Sequence, residues 1–281
     1  MTIIWHGTKI KISRLLHHTS SNARTTNESA HRLPPDIMEM ILIHLTDNLY
    51  ALKSCSLTCR SWYIAAVPYI YHTLLLGGKP RPLRSDFWPL SKLHGRGLTP
   101  LVKEIWVRQW YTRPLWFLPR AFNRRNLRYF SAFTNVQTLR IQRLDIHSFI
   151  PGVERYFGQF SPTLRSIALS RPICNTPQQL SYFLSLFSNL DNICISLLVL
   201  LNTSTPSPEL APFSAPTLRG TLLLSSFRPV ETWTYMIAVC GGLRFRHVEL
   251  HKVGSCAPII LEACAETLET LRLYLADAIS Q

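Results

Sequence analysis

The sequence predicts an α/β chain in which a short all-helical unit precedes an irregular solenoid of strand-and-helix repeats. Three observations carry this prediction. Apolar residues recur at helical spacing between Leu33 and Val67, and beyond residue 100 a Leu-led apolar alternation returns seven times. The composition, 47% hydrophobic and 16% charged, is that of a chain that buries a core.

The elements follow in order. Residues 1–32 are polar and aperiodic after Leu16, carry five Lys or Arg against one acid, and are expected to form a disordered basic tail. Residues 1–27 hold no acid and are rich in Ser, Thr and Arg, a composition also found in mitochondrial presequences. From residue 33 the pattern changes. Leu33, Ile37, Ile41 and Leu45 recur every four residues, with Met38, Leu42 and Leu49 as a neighbouring stripe, which predicts a short helix buried on a wide face. Pro34 and Pro35 suit its first turn, where the N–H groups have no intrahelical partner. A second apolar set runs through Leu49, Leu52, Cys55, Leu57 and Cys59, and a third through Trp62, Ile64, Ala65 and Val67 until Pro68 is expected to stop it. Two or three short helices in about 40 residues bury too little surface to stand alone, so a partner is expected.

The string Leu33-Pro34-Pro35-Asp36-Ile37, then Ile41 and Leu45, then Leu57-Thr58-Cys59-Arg60-Ser61-Trp62 and Pro68-Tyr69-Ile70-Tyr71, resembles an F-box. The resemblance covers residues 33–75. It implies docking onto the Skp-type adaptor of a cullin-RING ubiquitin ligase, with Leu33, Pro34, Ile37, Ile41 and Leu45 facing the adaptor and Leu57, Cys59 and Trp62 buried around that stripe. A helix whose apolar face lacks an internal partner is suited to lie against the helices of another protein.

Residues 76–100 are expected to form a basic linker, and residues 79–128 concentrate twelve Lys or Arg against two acids. Trp88, Trp106, Trp110, Tyr111, Trp116, Phe117 and Phe122 lie among those cations, a mixture suited to stacking and phosphate contacts with single-stranded nucleic acid. The alternation of Ile105 and Val107 with Trp106 and Arg108 favours a strand whose aromatics pack while the guanidinium heads reach water.

From 101 to 281 a recurring phrase marks the repeats: Val102–Val107, Val136–Ile141, Leu164–Leu169, Leu190–Ile195, Leu218–Leu223, Phe245–Leu250 and Leu268–Leu273. Ile141, Leu169, Ile195, Leu223, Leu250 and Leu273 are separated by 28, 26, 28, 27 and 23 residues. That spacing with L-x-x-L-x-L character resembles leucine-rich repeats, although the Asn or Cys usual after the strand is missing. Helices are expected after Thr176-Pro177, from Pro229 to a stop at Gly241, and after Pro258. The last strand ends near Leu275 with no polar cap, so either the chain is a fragment or a partner covers that end.

Chemistry is sparse. The seven cysteines form no CxxC pair, which argues against a disulfide framework or a four-ligand zinc site and for a reducing intracellular compartment, cytoplasmic or nuclear. Cys55 and Cys59 are expected to be small buried hydrophobes. His247 and His251 share a strand face without an evident third ligand. No phosphate-binding glycine loop, no G-x-S-x-G and no H-E-x-x-H occur. No apolar run approaches the ~20 residues of a membrane span. The expected function is therefore non-enzymatic and cofactor-free: a substrate-receptor subunit of an SCF-type ligase. The alternatives are an F-box scaffold acting outside a ligase and a basic nucleic-acid-binding protein.

Overall fold

The computed structural model describes residues 33–77, 93–108, 131–144, 146, 157–201, 218–226, 230–240 and 242–274, and the backbone of 2–5 and 8–11. The chain divides into two compact units, Met1–Ile41 and Leu42–Gln281.

The first unit opens with β1 (Thr2–Trp5) and β2 (Thr8–Lys11), an antiparallel pair in which Trp5 lies opposite Thr8. This corrects the expectation of a wholly disordered tail. Ile3, Ile4, Trp5 and Ile10 are of strand-favouring types, and Ile3 lies opposite Ile10. The helix α1 (Pro35–His44) begins in this unit and ends in the next. Its first turn closes on the Pro34 carbonyl, which accepts from the N–H groups of Ile37 and Met38 at 3.1 Å each.

In the second unit, α2 (Leu49–Ser56) starts at Asn48, whose Oδ1 accepts from the Ala51 N–H at 3.0 Å. The helix α3 (Arg60–Ile70) continues through Pro68 instead of stopping there. Pro68 sits in the last turn, so it forgoes one intrahelical bond, and the Tyr71 N–H closes that turn on the Val67 carbonyl at 3.1 Å. Leu42, Leu52 and Ala66 are fully buried at the centre of this helical region, with Leu45, Cys55, Trp62, Ala65, Tyr69 and Ile70 packed around them.

Eight strands then form one parallel sheet: β3 (Thr73–Gly77), β4 (Glu104–Arg108), β5 (Thr138–Gln142), β6 (Ser166–Ser170), β8 (Asn192–Ser196), β10 (Arg219–Ser225), β11 (Arg244–His251) and β12 (Thr270–Tyr274). Spatial order equals chain order, so each strand pairs only with its predecessor and successor in this sheet. All seven strands expected from the Leu-led phrase are present. The eighth, β3, was not anticipated; the boundary expected at residue 75 falls inside it, because Thr73–Gly77 pairs in register with Glu104–Arg108. Two short strands, β7 (Ile173–Cys174) and β9 (Val199–Leu200), pair with each other beyond the ends of β6 and β8.

One face of the sheet is the core. Leu74 and Leu76, Ile105 and Val107, Leu139 and Ile141, Ile167 and Leu169, Ile193 and Ile195, Leu222 and Leu224, and Val248 and Leu250 lie in register across it and are all buried. Each such side chain contributes about 1.5–3 kcal/mol of burial. The helices α4 (Pro177–Ser185), α5 (Val230–Cys240) and α6 (Ala257–Cys264) match the three expected helical starts and supply Leu180, Phe183, Leu184, Trp233, Met236 and Ile260 to the buried set. Phe183 makes edge-on contacts with Phe157 and Phe187 at 5.7 and 5.5 Å. In β12 the same row continues as Leu271 and Leu273, but these remain exposed, Leu273 at 49%.

The strand ends are equally regular. Arg143, Arg171, Leu197, Ser226 and Lys252 each follow the last residue of a strand and each has positive φ, between 51° and 61°. Their N–H groups donate to the carbonyls of Ser170, Ser196, Ser225, His251 and Tyr274, the last residue of the next strand, at 2.6–3.0 Å. A non-glycine residue in this conformation costs roughly 1–2 kcal/mol. Gly220 has a different necessity: φ is +81°, and a Cβ there would lie 2.1 Å from the Asp191 carbonyl oxygen.

Candidate functional site

Along α1 the sequence places two apolar stripes, and the structure assigns them opposite roles. Met38 and Leu42 are buried; Ile37 and Ile41, one residue earlier in each turn, are each 37% exposed. Leu33 and Pro34 precede the helix and are exposed, and Leu45 is half-buried against the Leu42 cluster. Sequence periodicity identified both stripes as one wide buried face. The outward one instead lacks cover among the described residues, while the small core of Leu42, Leu52 and Ala66 takes the helix on its Leu42 side.

The central motif departs further from expectation. Leu57 is 61% exposed and Cys59 is exposed, so neither is buried as predicted, while Trp62 is half-buried and packs on the Leu42, Leu52 and Ala66 cluster. The reason is local: Leu57 ends α2 and Cys59 precedes α3, so both lie in the connection between helices, and the core is filled from the helix faces. Cys55 does pack there. Tyr50, Tyr63 and Ile64, which periodicity did not single out as outward, are also exposed.

Nine of the sixteen large apolar residues exposed among the described residues lie between Leu33 and Ile64, which marks this region as the one poorest in cover for its apolar content. Residues 30–77 match the F-box-like family of domains. The chain carries an F-box-like domain. It ends where β3 ends, so the domain runs directly into the first strand of the sheet. No curated protein matches the chain. F-box domains generally bind Skp1-type adaptors, which gives the uncovered apolar residues of the F-box-like domain a candidate partner.

The remaining candidates resolve as follows. Of the aromatic-rich basic segment, Trp106 lies in β4 and is 37% exposed on the sheet face opposite the core; Trp88, Trp110, Tyr111, Trp116, Phe117 and Phe122 lie outside the described residues. Near Trp106, Arg140 forms an ion pair with Glu104. His247 and His251 do share a strand face, with Glu249 between them; Glu249 Oε1 is 2.6 Å from His251 Nε2, and the His251 ring stacks on Tyr274 at 4.0 Å. Among the described residues no group of three metal-binding side chains forms, and no helix is long and apolar enough to cross a membrane. None of the seven cysteines, all of them among the described residues, forms a disulfide. Burial pushes the Cys240 thiol up to about 11, which removes its nucleophilic form at neutral pH.

Proposed function

We propose that this chain is a substrate-receptor subunit of an SCF-type ubiquitin ligase, with its F-box-like domain on the Skp-type adaptor and its sheet unit holding a protein target. The observation that carries the reading is the outward apolar stripe of α1, Ile37 and Ile41, inside a region that matches the F-box-like family. Burying such side chains against a partner contributes affinity that solvent exposure forgoes. The sheet unit is best understood as a leucine-rich-repeat-like solenoid. Strand order that equals chain order, apolar rows in register and a period of 23 to 28 residues support this. Held on the adaptor, the unit acts by proximity: it raises the concentration of a target near the ubiquitin-loaded enzyme and performs no covalent step itself.

Capture of the adaptor by the full chain, compared with Pro34→Ala combined with Ile41→Asp, tests the docking. Wild-type capture and loss in the double variant are expected, and equal capture sinks the assignment. Co-purification of cullin with the captured chain separates a ligase subunit from a scaffold bound to the adaptor alone.

A further inference from the structure

We propose that β12 takes an extended segment of the target protein as an added strand, one with apolar residues at alternate positions and a basic residue on either side of them. This names the chemistry of the target and rests on the substrate-receptor reading.

Among the described residues β12 is the last strand of the sheet, so one of its edges faces no strand. The Tyr274 carbonyl accepts from the Lys252 N–H at 3.0 Å, which turns the peptide groups of Tyr274 and, by alternation, of Arg272 towards β11. Those of Leu271 and Leu273 therefore point to the open edge. The same two residues lack cover on their side chains. Every other strand of the sheet has both members of its core row buried, whereas Leu271 is 40% and Leu273 49% exposed. Main-chain bonding groups and apolar side chains are thus open at one place. Strand addition uses both, since backbone bonds hold the incoming segment and alternate side chains select it.

Two features set the flanking charge. The Tyr274 ring stacks on the His251 ring across the two strands, at 4.0 Å and 9°, so its other face looks towards the open edge. A guanidinium at that rung of an added strand would stack on it. Near the other end of β12, Glu262 in α6 and Glu266 in the turn after it are exposed, and neither forms an ion pair with a described residue; Glu269 is held by Arg246 at 3.6 Å. Residues 253–274 carry three acids against one base, Arg272, in a chain of net charge +14. The matching segment has a cation at each end and none opposite Arg272, with apolar residues between that extend the rows of Leu271 and Leu273. A second copy of this chain fits less well, because it would bring two acidic ends together.

The test titrates the full chain with the fluorescent peptide Gly-Ser-Arg-Leu-Thr-Leu-Arg-Ser-Gly, whose pattern reads the same in either strand direction. Binding is expected, with at least a fivefold loss when both Arg become Glu and at least a tenfold loss when the central five residues are shuffled to Leu-Leu-Arg-Arg-Thr. N-methylation of the two Leu blocks an antiparallel strand, and N-methylation of Thr and the Arg after it blocks a parallel one, so one pair of methyl groups is expected to abolish binding and the other to be tolerated. Leu273→Lys is expected to weaken binding at least tenfold with an unchanged thermal midpoint, since that side chain is exposed. In the free chain, hydrogen exchange resolved by residue is expected to be fast at the Leu271 and Leu273 amides and slow at Arg272 and Tyr274, with the peptide slowing the first pair. Slow exchange at Leu271 and Leu273 in the free chain overturns the proposal. So does tolerance of both methylated peptides, equal binding of the Glu or shuffled peptide, or undiminished binding by Leu273→Lys. A concentration-dependent dimer that the peptide dissociates also overturns it, by making a second copy the occupant. Capture of the Skp-type adaptor is measured on the same samples: its absence in wild type removes the receptor reading while peptide binding is judged separately, and capture without peptide binding overturns the strand site alone.

Discussion

Ile41 and Leu42 are adjacent in α1, yet the same substitution at each is expected to do opposite things. Leu42 has 0% exposure and sits at the centre of the cluster with Leu52 and Ala66. Leu42→Asp removes about 2–3 kcal/mol of burial and places a carboxylate where no described cation pairs with it, which adds several kcal/mol more. The sum, about 5 kcal/mol or above, matches the whole stability of a small domain. The helical region should unfold. Ile41 is 37% exposed, so Ile41→Asp forfeits only part of one side chain's burial, about 1 kcal/mol, and Asp and Ile differ little in helix propensity. Hydrogen exchange followed by mass spectrometry on the full chain reads the difference directly: amides of α2 and α3 lose protection in Leu42→Asp and keep it in Ile41→Asp. Calorimetric titration with the adaptor then finds at least a tenfold loss of affinity in Ile41→Asp despite its intact fold. Equal loss of protection in both variants, or unaltered adaptor affinity in Ile41→Asp, refutes the division of α1 into an inward and an outward stripe.

Three further outcomes are expected. Gly220→Ala forces a Cβ against the Asp191 carbonyl and should lower stability by about 2–5 kcal/mol in urea unfolding. Gly254→Ala, also at positive φ (59°) but in open space, should cost about 1 kcal/mol. Ser181 is fully buried with its hydroxyl oxygen unpartnered, so Ser181→Ala should be neutral or stabilising by up to about 1 kcal/mol in the same assay; a clear loss would reveal a bond that the hydroxyl makes. Cys240, with its thiol raised from the ordinary value near 9 to about 11, favours the protonated form in the folded state. Its contribution to stability is full below pH 9 and declines as pH rises towards 11. Iodoacetamide at pH 8 should modify exposed Cys59 well before Cys240, as peptide mapping would show.

How much of this was legible in the sequence depended on whether a pattern had a distinctive residue type. The core rows were legible because Leu, Ile and Val alternate with polar residues, as in Ile167, Ala168 and Leu169, and a register shifted by one would expose the whole row. The starts of α4 and α6 were legible from Pro177 and Pro258. The strand β3 was hidden because Leu74, Leu75 and Leu76 form an unbroken apolar run immediately after the aromatic end of the helical motif. Leu57 and Cys59 were misplaced because spacing alone does not separate a helix face from the connection that follows it. The left-handed strand ends escaped for a plainer reason: Arg, Arg, Leu, Ser and Lys give no sign of positive φ, and the Asn or Cys usual after such a strand is missing. Of the set expected to face an adaptor, Ile37 and Ile41 were legible as apolar recurrences, but their outward direction follows only from the burial of Met38 and Leu42.

The repetition of the strand ends also bears on how such a chain is able to change its length. Ser170 and Ser196 occupy equivalent places, and so do Arg171 and Leu197 after them, each closing on the strand that follows. Excising Arg171–Ser196 would join Ser170 to Leu197 with the same backbone conformation at the junction and the same carbonyl row waiting beyond it. Ile167 and Leu169 would then meet Leu222 and Leu224 as Ile193 and Ile195 do now. Loss or duplication of one strand with its return thus leaves the apolar rows continuous, so this architecture gives gene-level rearrangement a route to a longer or shorter sheet without redesign of the core.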